Sequence, residues 1–208
     1  MAWPKTVRRM KNARPVPRVE TTRSRALEVA GELLGEGGVD AVQLRAIATR
    51  IGSGVATIYH HFTDKEALLA ALALEGFGRL VADLEAALKD ARFPRPIDAV
   101  SFAYLRFMRK NMRLYALMRS GEMLGQHPDV RAAEHEAFKV FRRGVEADPR
   151  VPSARVDEVS LVCWVLGRGI ADVLQASAEP SGGTPNFVVE QVLSGFSFLL
   201  SDKFSPRR

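Results

Sequence analysis

The sequence predicts an all-α protein. A small N-terminal three-helix unit built on a helix-turn-helix leads into a larger helical body, about nine helices in all. Three observations predict this. Apolar residues recur at helical spacing through most of the chain, and no strand-like alternation competes with them. Residues 41–72, AVQLRAIATRIGSGVATIYHHFTDKEALLAAL, read as two short helices joined by a Gly-Ser-Gly turn, with a third helix opening at a lysine. Prolines and glycines fall between the periodic segments. At 208 residues the chain can bury a good core, as one large domain or as a small and a larger one. The pattern divides it into an arm at 1–20, a helix-turn-helix unit at 21–66 and a helical body at 67–208.

Residues 1–20, MAWPKTVRRMKNARPVPRVE, hold six Lys or Arg against one acid. Residues 21–65 carry five of each, and the remainder 19 bases against 18 acids, so the arm holds almost all of the +6 net charge. With three prolines and no amphipathic period, the arm is expected to be disordered when free. It either follows a phosphate backbone or minor groove, or serves as a solubilising tail. No apolar segment follows its basic residues, which argues against a secretory leader. The longest candidate span, 159–166, is too short for a membrane. Both point to a cytoplasmic chain with no membrane partner.

In the first helix of the turn motif, Leu44, Ile47, Ala48 and Ile51 form one apolar stripe, and Gly52 stops it. In the second, Val55, Ile58, Tyr59 and Phe62 share a face, opposite Ala56, Thr57, His60 and His61. A helix this short must be held by its neighbours. Its small, polar outer side suits base edges and phosphates. An ordinary helical hairpin inside a bundle would give the same pattern, with the two histidines merely on the surface. Thr63 to Glu66 forms a capping box that starts the next helix at Asp64 or Lys65. Lys65 is then a cation in a first helical turn, where the dipole disfavours it. Either a bound phosphate or Asp64 would relieve that cost.

The fourth helix is predicted over 64–91. Its stripe holds Leu68, Leu69, Leu72, Leu80, Leu84 and Leu88, and Gly76 and Gly78 are points of bending. Pro94 and Pro96 break the chain. Helices follow at 97–111 and 114–124, and Pro128 opens another that runs to 146. Asp148, Pro149 and Pro152 make a loop before a helix at 154–178. A Gly/Pro/Ser link at 179–185 precedes the last helix, 187–201.

The last two helices are apolar on more than one side and so need cover on more than one side. Val162, Trp164, Val165 and Val173 on the first, with Val189, Val192, Phe196 and Leu199 on the second, are the candidate dimer interface. Two such helices from each protomer would form a four-helix bundle. A fully buried pair inside a monomer is the alternative. Tyr104, Met108, Met112 and Tyr115 fall on one face, near Phe107 and Met118. Such residues, with Trp164 and Arg168, suit either a pocket for a hydrophobic or aromatic molecule or plain core packing. Arg168 is either a ligand anchor or half of an internal ion pair with Asp172.

Cys163 is the lone cysteine and lies in an apolar run, which points to a buried inert thiol. The four histidines show no metal-ligand spacing, and no phosphate loop, nucleophile elbow or triad spacing occurs. No metal, cofactor or enzymatic activity is expected.

The stretch IATRIGSGVATIYHHFTDKEALL resembles the DNA-binding signature of the TetR family of bacterial transcriptional regulators. Ile47-Ala48, Gly52, Ile58-Tyr59-His60-His61-Phe62, Lys65 and Leu68 fill the pattern, and 25–34 resembles the family's first helix. Ser53 and Gly54 depart from it, where an apolar residue and a hydroxyl cap are usual. A Gly cap costs only a few tenths of a kcal/mol. The resemblance implies that Arg45 touches a base or phosphate and that Val55, Ala56 and Thr57 read bases. It further implies that Tyr59, His60 and His61 meet phosphate or groove wall, and that Lys65 clamps a phosphate. It implies a homodimeric repressor on double-stranded operator DNA, released by a small hydrophobic or aromatic effector. A ligand-independent or partner-controlled regulator and a helical enzyme are the alternatives.

Overall fold

The computed structural model describes residues 21–176. The basic arm, the 179–185 link and the predicted last helix, with Val189, Val192, Phe196 and Leu199, lie outside them. Nine α-helices form among the described residues: α1 Thr22–Gly37, α2 Leu44–Ile51, α3 Val55–His61, α4 Lys65–Leu88, α5 Pro96–Lys110, α6 Met112–Met118, α7 Gly121–Gln126, α8 Pro128–Glu146 and α9 Val156–Ala176. No strand occurs among these residues. None of the described helices is long and apolar enough to cross a membrane.

Local chemistry fixes the helix ends. Thr21 caps α1 by accepting from the Ser24 amide, and α1 stops at Gly38, whose φ is +74°. Pro96 and Pro128 open α5 and α8 in the first turn, where a missing amide hydrogen costs nothing. The cap of α4 differs from the predicted one. Asp64, not Thr63, accepts from the Ala67 amide at 2.7 Å, and the helix starts at Lys65. The aspartate reaches the free amide from one position nearer the helix, so the threonine is left outside.

The segment predicted as one helix over 114–124 is two. α6 ends at Met118, and Ser120 restarts the chain by accepting from the Met123 amide. The break before α6 has its own cause. Asn111 donates to the Phe107 carbonyl at 2.8 Å and closes α5. Tyr104 and Met108 therefore lie on α5, and Met112 and Tyr115 on α6. They do not form a stripe on one helix.

α4 is the centre of the molecule. It buries Leu68, Leu72, Phe77, Leu80 and Leu84 and packs against α1, α5, α6 and α8. Gly76 does not break it. A Cβ there would lie 2.6 Å from Met118 Sδ, so the glycine lets α6 approach the backbone closely. Arg113 of α6 donates to the carbonyls of Gly35 at 2.7 Å and Leu34 at 3.5 Å, covering the end of α1. All but two of the described buried apolar residues, Ala99 and Val156, make one cluster, from Ala26 of α1 to Ala171 of α9.

Gly144 of α8 faces Val100 of α5 so closely that a Cβ would lie 2.5 Å from Val100 Cγ1. Valine is stiff and fully buried there, so the contact cannot relax cheaply. Gly144→Ala is expected to lower stability in urea unfolding by about 1–3 kcal/mol. A Cβ at Gly78 meets nothing within 4 Å, so Gly78→Ala should raise stability by up to about 1 kcal/mol.

Candidate nucleic-acid interface

The turn between α2 and α3 is made by backbone geometry. Gly52 adopts φ +67°, ψ 32°, a left-handed conformation that glycine enters without steric cost. Its amide and that of Ser53 return to carbonyls of α2, with Ser53 N to Ala48 O at 2.9 Å. Gly54 then caps α3 without any side-chain bond.

α3 is held by little. Ile58 is its one buried residue, and Phe62, next after it, is 3 % exposed. The Arg23 guanidinium stands over the Phe62 ring at 5.3 Å from its centroid. Val55 and Tyr59 were expected on the packed face but are 37 % and 49 % exposed. With only Ile58 and Phe62 turned inward, the buried strip is a single i, i+4 pair and the rest of α3 meets solvent. Ala56, Thr57 and His60 are exposed, and His61 is half-buried.

The cations around this helix fall into two groups. Arg50 makes two hydrogen bonds to Glu36, at 2.9 and 2.8 Å, and lies 3.6 Å from Glu32. This bidentate pair ties α2 to α1, and the guanidinium holds the Glu36 carboxyl below its ordinary range. Arg45 and Lys65, by contrast, have no ion-pair partner among the described residues. They line one shallow groove of about 500 Å³ together with Gln43, Leu44, Tyr59 and Asp64. Asp64 spends an oxygen on capping α4. Two unpaired cations and a phenol on one groove are groups able to bond phosphate oxygens. Gln43 is an addition to the predicted set. Its signal in sequence was its place immediately before α2.

The residues predicted for a ligand converge, but they are closed over one another. Tyr104, Phe107, Met108 and Tyr115 are each 2 % exposed and Met118 is 0 %. Met112 is half-buried. The Tyr104 and Tyr115 hydroxyls hydrogen-bond to each other in the interior. Burial raises both phenols above their ordinary range, so the pair is neutral. Trp164 lies against Tyr104 at a tilt of 42° with ring centres 4.8 Å apart and meets Phe138 and Phe141 edge-on. Arg168 does not pair with Asp172. It lies 3.7 Å from Glu134, while Asp172 meets Arg119 at 3.5 Å, because neighbouring helices supply both partners.

On α9 the outward row is Leu161, Val162 and Val165, at 57 %, 45 % and 55 % exposed. Trp164, predicted for the dimer interface, turns inward at 6 %. Val173 is half-buried. Cys163 is half-buried rather than buried, and desolvation raises its thiol pKa.

Comparison with known proteins adds an independent line. The model of the bacterial regulatory proteins, tetR family, matches residues 26–72. The HTH-type transcriptional regulator UidR of Escherichia coli (strain K12) is 37% identical over 83 residues, 40% of this chain and 38% of UidR. The uncharacterized HTH-type transcriptional regulator YobS of Bacillus subtilis (strain 168) is 23% identical over 99 residues, 48% of this chain and 52% of YobS. The chain thus spans about two fifths and one half of these two relatives. A solved protein of unknown function from Rhodococcus sp. RHA1 superposes with a TM-score of 0.69 at 25% identity, covering 90% of this chain and 100% of that one. A TetR/AcrR-family regulator from Thermobifida fusca YX-ER1 gives a TM-score of 0.60 at 23% identity, covering 89% and 98%, and shares the fold. The relatives whose names state a function are transcriptional regulators, not enzymes.

Since Ile58 is the main anchor of α3, Ile58→Ala should cost about 2–5 kcal/mol. The expected sign in hydrogen exchange is early loss of protection across α3, ahead of α4.

Proposed function

We propose that this chain, a member of the tetR family of bacterial regulatory proteins, binds operator DNA as a homodimer and represses transcription in the cytoplasm. Residues 21–66 form the reading head and 67–208 the body. Ala56, Thr57 and Val55 face base edges from α3. Arg45, Tyr59, His60, His61 and Lys65 hold phosphates or the groove wall. The observation that carries this reading is the groove in which unpaired Arg45 and Lys65 meet Tyr59, beside an exposed α3 face.

The dimer is proposed through the outward face of α9, where Leu161, Val162 and Val165 form an apolar row that a second copy would cover. A two-fold pair would set two α3 helices about 34 Å or a multiple of that apart, one for each half-site. A small hydrophobic or aromatic effector would enter among Tyr104, Tyr115, Trp164 and Arg168 by prising the ring cluster open. It would lower DNA affinity by the difference in its own affinity for the two head spacings. The closed packing of that cluster favours a second reading, a regulator that needs no ligand. Loss of operator binding on adding an effector separates the two.

Selection of bound duplexes from a random pool should return a palindromic site, and no enrichment would overturn the proposal. On that site, Arg45→Ala and Lys65→Ala should each weaken binding to every sequence and reduce the salt slope by about 1. Thr57→Ala should instead relax preference at one position, by about 1–3 kcal/mol if its contact is to a base. Val165→Asp places a charge in the proposed dimer face and should yield a monomer by light scattering, with helix content retained.

A further inference from the structure

The seam between α1, the start of α4 and the α6–α7 pair is not fully packed. A cleft of about 570 Å³ opens there, walled by Leu34, Leu69, Leu117 and Met123. That volume falls within the range of small-molecule sites, about 300–1,000 Å³. Two cations stand on its rim, Lys65 and Arg113. Lys65 is half-buried and makes no hydrogen bond or ion pair among the described residues. Arg113 gives one nitrogen to the carbonyls of Gly35 and Leu34, and its other donors have no partner among those residues.

Two carboxylates share the rim, and among the described residues neither pairs with Lys65 or Arg113. Glu66 is hydrogen-bonded to His127 at 3.1 Å. Glu122 is exposed to water in the first turn of α7, where the helix start favours negative charge.

We propose that this cleft is a small-molecule site, separate from the ring cluster of the body, that takes a compact apolar monocarboxylate. The carboxylate would lie between Lys65 and Arg113, and the apolar part against Leu69, Leu117 and Met123. Lys65 also lines the groove assigned above to phosphate. Ligand and DNA would therefore draw on one cation, and each would weaken the other's binding by the same factor.

The test uses 2-naphthoate and its uncharged counterpart 2-naphthamide, titrated calorimetrically into the full chain. Ala116→Trp fills the cleft from an exposed position of α6. The expected result is saturable binding of 2-naphthoate, at least tenfold tighter than 2-naphthamide and lost in Ala116→Trp. On the unaltered chain, 2-naphthoate should also protect Lys65 from acetylation, read by mass spectrometry, while 2-naphthamide should not. Absence of saturable binding, equal affinity for acid and amide, binding that survives Ala116→Trp, or an unprotected Lys65 would each overturn the proposal. None of these readouts involves DNA, so their failure is separable from failure of the DNA-binding reading.

Discussion

The continuity of α4 is the constraint on which the other features rest. The helix runs 24 residues without a break, about 36 Å at 1.5 Å per residue. Its first residue, Lys65, lines the groove that also holds Arg45 and Tyr59, and its buried row continues to Leu84. Each fully buried leucine on that row stabilises the fold by about 1.5–3 kcal/mol relative to exposure. Because α1, α5, α6 and α8 all pack on this one rod, the helix-turn-helix segment and the later helices share a single apolar cluster.

Charge is apportioned with the same economy. The head carries as many acids as bases between residues 21 and 65, which would give DNA no net attraction. Pairing leaves that balance unchanged but decides which cations keep their charge uncompensated locally. Arg50 neutralises Glu36 and approaches Glu32, fastening α2 to α1, while Arg45 and Lys65 stay unpaired beside Tyr59. One arginine thus acts as a structural fastener, and two other cations remain available for an outside anion. Ion pairs this exposed contribute little to stability, so the role of Arg50 is positional.

The helix-turn-helix was readable because its constraints are local. Leu44, Ile47, Ala48 and Ile51 are all buried as their spacing demands, and Gly52 takes the left-handed turn. The rotation of α3 was not readable. A seven-residue helix allows several inward faces, and the choice of Ile58 and Phe62 is made by α1 and α2. The Thr63/Asp64 cap could not be resolved either, since both side chains can reach a free amide. In the body, the split at Arg119 leaves little trace because no proline precedes Gly121. The partners of Arg168 and Asp172 come from α8 and from Arg119, just past the end of α6, at separations of 34 and 53 residues that no local pattern records.

The end of α1 shows what that distance means for the head. α1 has no basic residue in its own last turn, and Arg113, 78 residues later, supplies the donor that covers the Gly35 carbonyl. A fragment excised at residue 72 would expose that carbonyl and the Leu34 carbonyl to water. It would also strip away the α6 surface on which α1 rests. The segment that matches the family model, residues 26–72, is therefore completed by groups that lie well beyond its own end.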